Sequence, residues 1–164
     1  MQIPEVGRVR TSVAAALLAA CLIAPDALAA SAVRDQILSR ALYFKTSACH
    51  VLKIEFNLPT RYVSHYPYDS GNELRIELDT LSSSPGDAAF EGRRESLHPP
   101  NESDEVLASI TYEGNTVPRP VLTLAFRQIV AFKVAQGEDF RSVIVAIARP
   151  HGSGVCEPVF PATE

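Results

Sequence analysis

The hydrophobic pattern of this chain alternates with period two, and it does so twice. Leu52, Ile54 and Phe56 point one way while Lys53 and Glu55 point the other, and Leu74, Ile76 and Leu78 alternate with Arg75 and Glu77. Farther on, Leu122, Leu124 and Phe126, then Val130, Phe132 and Val134, then Val143, Val145 and Ile147 repeat the alternation, with Ala125, Ala131 and Ala146 on the opposite face instead of charges. The first set describes strands with one wet face. The second set implies strands that are better covered or more central.

The two sets are copies of one another. Ile37-Leu38-Ser39-Arg40-Ala41-Leu42-Tyr43 aligns with Val106-Leu107-Ala108-Ser109-Ile110-Thr111-Tyr112, so that Leu38 meets Leu107 and Tyr43 meets Tyr112. After one inserted residue, Val51 to Phe56 meets Val121 to Phe126, Tyr62 meets Phe132, and Leu74-x-Ile76-x-Leu78 meets Val143-x-Val145-x-Ile147. Residues 37–78 and 106–147 therefore predict two half-buried sheets with no apolar partner of their own, which pack on each other around one core. The expected fold is all-β: two packed, mostly antiparallel sheets built from a duplicated unit. Val33, Ile37, Leu38 and Ala41 allow one short N-terminal amphipathic helix before the first strand. Turn chemistry falls at Asn57-Leu58-Pro59, Asp69-Ser70-Gly71-Asn72, Gly114-Asn115 and Gly137-Glu138-Asp139.

Residues 79–105 join the copies, with Ser82-Ser83-Ser84-Pro85-Gly86-Asp87 near one end and His98 to Glu105 at the other. A connector this long calls for structure or a task of its own, so Ala89-Phe90 or Ser96-Leu97 is expected to dock on a sheet. It reads either as a surface crossover or as a binding loop.

The first 29 residues set the location. Arg8 and Arg10 precede a 13-residue apolar run, Ser12 to Ala24; Pro25 breaks it, and Ala27-Leu28-Ala29 supplies the small residues of a cleavage site. The segment is read as a signal peptide, and the protein as periplasmic or otherwise exported. The run is short for a membrane span. Leu18-Ala19-Ala20-Cys21 also fits a lipobox, in which Cys21 is lipidated and tethers the chain to a membrane. The apolar continuation beyond Cys21 favours cleavage after Ala29.

Export changes how the cysteines read. Cys49 and Cys156 are the two thiols outside that segment, and an oxidising compartment favours pairing them. Two buried free thiols, or a nucleophilic Cys156 served by His151, are the alternatives; no nucleophile signature surrounds Cys156.

The 135 residues after position 29 suit one domain (repeat 1 at 37–78, connector 79–105, repeat 2 at 106–147, tail 148–164). They carry 17 acidic and 13 basic residues, a net charge of −4 that disfavours nucleic acid as a partner. His50, His65, His98 and His151 are scattered without metal-ligand spacing, so neither a metal nor any other cofactor is expected. Gly152-Ser153-Gly154 lacks the surroundings of a nucleophile elbow. Catalysis is therefore not expected.

With the duplication, the export signal, Phe56-Asn57-Leu58-Pro59-Thr60-Arg61-Tyr62 and the strand Glu73 to Leu78 in view, each half resembles the AMIN domain of bacterial envelope proteins. There a strand, a turn with proline, an aromatic-bearing strand and a final hydrophobic strand recur. The resemblance implies two symmetric packed β-sheets and a non-catalytic module that targets proteins to peptidoglycan; the long connector, the paired cysteines and the lack of an appended catalytic domain depart from it. A protein partner engaged through an exposed sheet edge is the alternative. The most ligand-like segment is Tyr62 to Tyr68. Tyr62 aligns with Phe132 and is assigned to the core, which leaves His65, Tyr66 and Tyr68 to pack on a sugar face. Were the ligand a peptidoglycan stem peptide, Arg61, Arg93 or Arg94 would pair with its carboxylates.

Overall fold

A computed structural model describes residues 36–81, 92–103, 105–152 and 154–161. Among the described residues the alternating runs become eight strands: β1 (Leu38–Lys45), β2 (Cys49–Phe56), β3 (Thr60–Tyr66), β4 (Ser70–Thr80), β5 (Arg94–Leu97), β6 (Leu107–Glu113), β7 (Val121–Gln136) and β8 (Ser142–Ala148), with a 3₁₀ turn at Asn101–Ser103. Every pairing is antiparallel. One sheet runs β1, β2, β8 and the C-terminal part of β7; the other runs β5, β6, the N-terminal part of β7, β4 and β3. The 16-residue β7 passes from one sheet into the other.

The duplication holds at the level of register. In β1 and β2, Ala41 faces Ile54 and Tyr43 faces Leu52; in β6 and β7, Ile110 faces Leu124 and Tyr112 faces Leu122. Both pairs carry an irregularity at the same place, between Leu38 and Arg40 and between Leu107 and Ser109. The Asn57 N–H donates to the Ile37 carbonyl at 2.8 Å, and its counterpart Arg127 donates to the Val106 carbonyl at 2.9 Å. The last strands are exchanged: β4 of the first copy pairs with β7 of the second, and β8 of the second pairs with β2 of the first. Neither copy completes a sheet alone, so the halves cannot separate without breaking two ladders.

The inner faces meet in one cluster that contains Leu52, Ile54 and Phe56 together with Leu122, Leu124 and Phe126, and also Leu74, Ile76, Leu78, Val143, Val145 and Ile147. Burying each such side chain contributes about 1.5–3 kcal/mol. The copies differ at one junction. Asn57-Leu58-Pro59 turns the chain between β2 and β3, whereas the aligned Arg127-Gln128-Ile129 continues as extended strand. Pro59 has no N–H for a ladder and favours the turn.

Three expectations are revised. No helix forms over Leu38 and Ala41, which lie in β1. A turn or two of isolated helix is marginal, while β1 pairs along its length with β2, and the Glu95 carboxylate accepts the Ile37 and Leu38 N–H groups at 2.9 Å at its start. Ser70-Gly71-Asn72 is the start of β4, so the turn lies just before it. Ala146 is buried as expected, but Ala131 is exposed. The difference arises because β8 is flanked by β2 and β7 and covered on its outer face by the tail: Cys156 and Phe160 pack against Ala48, Cys49, Val51, Ile144 and Ala146.

In the connector, Ser96-Leu97 docks as part of β5 on β6, and Ala89-Phe90 lies outside the described residues. Residues 1–29, with the signal segment and Cys21, also lie outside them. Among the described residues, no helix is long and apolar enough to cross a membrane.

Candidate functional site

The end of β3 is shaped by a bulge. Tyr62 faces Leu78 just as Phe132 faces Ile147, but Ser64 already faces Glu77, so Val63 is an extra residue. A one-residue shift exchanges the faces of everything that follows. His65 therefore sits opposite Ile76 on the inner side, while Ser64 and Tyr66 stand outside, opposite Glu77 and Arg75.

His65 ties this end together. Its Nδ1 lies 2.7 Å from the Tyr62 hydroxyl and its Nε2 3.0 Å from the Tyr68 carbonyl. With Nε2–H donating to that carbonyl, Nδ1 accepts from Tyr62. The imidazole also meets Phe132 and Tyr68 edge-on, with ring centroids 6.2 and 6.3 Å apart. Burial pushes the Tyr62 phenol up from its ordinary pKa, which keeps it a neutral donor. Tyr62 packs against the core, half-buried, as its alignment with Phe132 implied.

Outside this anchor, Tyr66 and Tyr68 are 69% and 79% exposed and meet edge-to-face with centroids 6.2 Å apart. They border a groove of about 470 Å³ between the β3–β4 end and the loop from Thr116 to Arg119. Ser64, His65, Arg75, Glu77 and Val121 complete its walls, together with Val117 and Pro118. The Thr116 hydroxyl is within hydrogen-bond distance of the Glu113 and Arg119 carbonyls, at 2.9 and 2.6 Å, which closes the loop on itself. Glu77 accepts from the Ser64 hydroxyl at 3.0 Å. Arg75 has its nearest carboxylate, Glu73, at 4.0 Å, and Arg119 has no carboxylate partner among the described residues.

Of the candidate residues, the structure thus assembles His65, Tyr66 and Tyr68 in one groove. Arg61 is not among its walls: it stands at the other end of β3, where it is ion-paired with Asp79. Arg94 lies beyond β6 from the groove, 3.6 Å from Glu113, and the Arg93 carbonyl accepts the Gly114 N–H at 2.8 Å. Neither lines the groove. The arginines that do line it are Arg75 and Arg119. Arg75 read from the sequence as the wet face of a strand, and Arg119 sits in the proline-flanked run Val117-Pro118-Arg119-Pro120, which gives no sign of facing β3.

A second cavity, of about 450 Å³, lies beneath the tail between Leu42, Ile144, Pro158, Val159 and Phe160. On its polar side Lys53 lies 3.0 Å from Glu55 and 3.1 Å from Asp139, and Glu55 also holds Arg40 at 2.5 Å. Burial works against ionisation of Glu55 and Asp139, yet Arg40 and Lys53 around the first, and the Arg141 N–H, Ser142 hydroxyl and Lys53 around the second, hold both carboxyls below their ordinary range. Charges satisfied by one another have little to offer a ligand.

Cys49 and Cys156 are at disulfide distance, with Cα atoms 5.4 Å apart. Joined in this way, Cys156 offers no thiolate for His151 to activate. Among the described residues, no three His, Cys, Asp or Glu side chains gather closely enough to hold a metal ion. No family model, no curated protein and no solved structure matches this chain.

Proposed function

We propose that this chain is an exported, non-catalytic module that binds a component of the cell envelope, peptidoglycan above all, through the groove at the end of β3. One observation carries the reading: His65, Tyr66 and Tyr68 converge with Arg75 and Arg119 around an open groove of about 470 Å³, in which Arg75 has Glu73 at 4.0 Å and, among the described residues, no ion pair engages Arg119. Exposed tyrosines supply apolar ring surface with a polar edge, and the guanidiniums supply fixed forks of donors. The export signal, the acidic balance and the AMIN-like halves support the same reading from the sequence.

The alternative is a protein partner added to a sheet edge. At β3, an edge strand as β1 and β5 also are, the bulge at Val63 interrupts the strand beside the groove, and bulged edges are poor templates for strand addition. Sedimentation with purified sacculi separates the two readings. The envelope reading expects the exported chain to pellet with sacculi at low salt. A chain that stays in the supernatant yet captures a defined envelope protein supports the assembly reading and removes the peptidoglycan one.

A further inference from the structure

Resting on that envelope reading, and narrowing it, we infer that the groove recognises a free carboxylate on an envelope peptide, held by Arg75 and Arg119, rather than the neutral face of a sugar chain. Several surface cations of this acidic protein are matched by carboxylates. Arg40, Lys53, Arg61, Arg94 and Lys133 each lie against a carboxylate of a neighbouring strand, loop or tail segment. Arg75 reaches Glu73 only at 4.0 Å, and no ion pair engages Arg119 among the described residues. Both line the same groove. Lys45, Arg141 and Arg149 likewise have no ion pair among the described residues, but none of them lines this groove, where Arg75 and Arg119 stand together.

The remaining polar groups of the walls fit an anion better than a sugar. Sugar hydroxyls are held chiefly by carboxylates and amides, which accept and donate along the ring edge. The groove contains no Asp, Asn or Gln, and its one carboxylate, Glu77, already accepts from Ser64. The Thr116 hydroxyl is spent on backbone carbonyls, and both nitrogens of His65 are engaged by Tyr62 and Tyr68. What the walls offer outward is therefore mainly the N–H donors of Arg75 and Arg119, beside the apolar surfaces of Tyr66, Tyr68, Val117 and Pro118. Guanidinium forks bind carboxylates with two parallel bonds, and the apolar walls suit the short side chains on either side of a peptide carboxylate.

Two probes test this. The first is sedimentation with sacculi before and after their free carboxyls have been converted to neutral amides with carbodiimide and ethanolamine. The second is Ala-Ala with a free C-terminus, compared with its C-terminal amide, followed by the backbone amide shifts of residues 64–68 and 116–121. The inference expects amidation to weaken retention roughly tenfold. It expects Ala-Ala, and not its amide, to shift the groove signals. The double variant Arg75→Gln/Arg119→Gln should bind intact and amidated sacculi alike at the weakened level, while Arg94→Gln, outside the groove, should bind as the unmodified chain does. Equal retention of intact and amidated sacculi overturns the carboxylate and leaves the envelope reading standing. Failure of sacculi to retain the chain while Ala-Ala still shifts the groove signals removes the envelope reading and leaves the carboxylate. Silence from both probes removes both.

Discussion

His65 occupies the place that Val134 holds in the other copy: His65 faces Ile76 in β3–β4, and Val134 faces Val145, the counterpart of Ile76, in β7–β8. Plain alignment pairs Val134 with Ser64, and the bulge at Val63 moves the histidine into the slot. A polar, hydrogen-bonding ring has replaced an aliphatic side chain at one of two equivalent sheet ends, and the Tyr66–Tyr68 turn hangs from it.

That relationship predicts the outcome of His65→Val. The valine suits the slot, so stability should change by no more than about 1 kcal/mol, the size of a typical hydrogen-bond contribution. The Tyr68 carbonyl loses its donor, however, so amide exchange over residues 67–69 should quicken and binding to sacculi should fall. Unchanged exchange would show that the turn does not depend on the imidazole.

The second prediction concerns the two halves of the core. Ile54 and Leu124 are counterparts, both fully buried in the same cluster. Ile54→Ala and Leu124→Ala should each cost about 2–5 kcal/mol, with values close to each other, as measured by urea denaturation. A large asymmetry would mean that one sheet carries the stability.

The tail provides a third. Linking Cys49 to Cys156 closes a span of 107 residues, and losing that link should lower stability by up to about 4–5 kcal/mol in the chain-entropy model. Cys49→Ser/Cys156→Ser should therefore unfold at lower denaturant. It should also loosen Phe160 from Phe44, against which it packs at 6.3 Å, and Glu157 from Lys133, 2.8 Å away.

A fourth is pH dependence. His50 is buried beside Tyr43, and burial, then Lys45 and Arg149, push its pKa below the ordinary 6.5. In the unfolded chain it titrates near 6.5, so the unfolded state takes up the proton first. The stability that His50 contributes is complete above about pH 6.5 and is lost as pH falls from there through its lowered folded value. The carboxyls of Glu55 and Asp139 are lowered too, from ordinary values of 4.5 and 3.8, so their contribution is held above about pH 4.5 and lost in more acid solution. Thermal unfolding temperature should thus fall in two stages on acidification, and His50→Gln should remove only the first.

The strands and their faces were legible because period-two alternation is a local signal, and the aligned pairs Leu38 with Leu107 and Leu52 with Leu122 carried it twice. The exchange of β4 and β8 between the copies was not legible, since it depends on which edges meet in space. Half of the groove was readable: an aromatic run before a turn marked His65, Tyr66 and Tyr68. Arg75 and Arg119 come from a strand face and a distant loop that only the β4–β7 ladder brings together, and nothing local distinguishes them from Arg61 or Arg94. The short N-terminal helix misled because Ile37, Leu38 and Ala41 satisfy a helical spacing as well as an irregular strand entry, and only the partner β2 decides between them.

On the proposed reading, the groove beneath Tyr66 and Tyr68 is where this chain meets the cell envelope. The most direct measurement is the fraction of Tyr66→Ala/Tyr68→Ala that sediments with purified sacculi, set beside that of the unmodified chain. Both side chains are largely exposed, so the β-sheet circular dichroism should be unchanged. The bound fraction should fall by roughly tenfold, in keeping with about 1–2 kcal/mol for the loss of two aromatic contacts. A double variant that keeps its fold and pellets with sacculi as fully as the unmodified chain would contradict it.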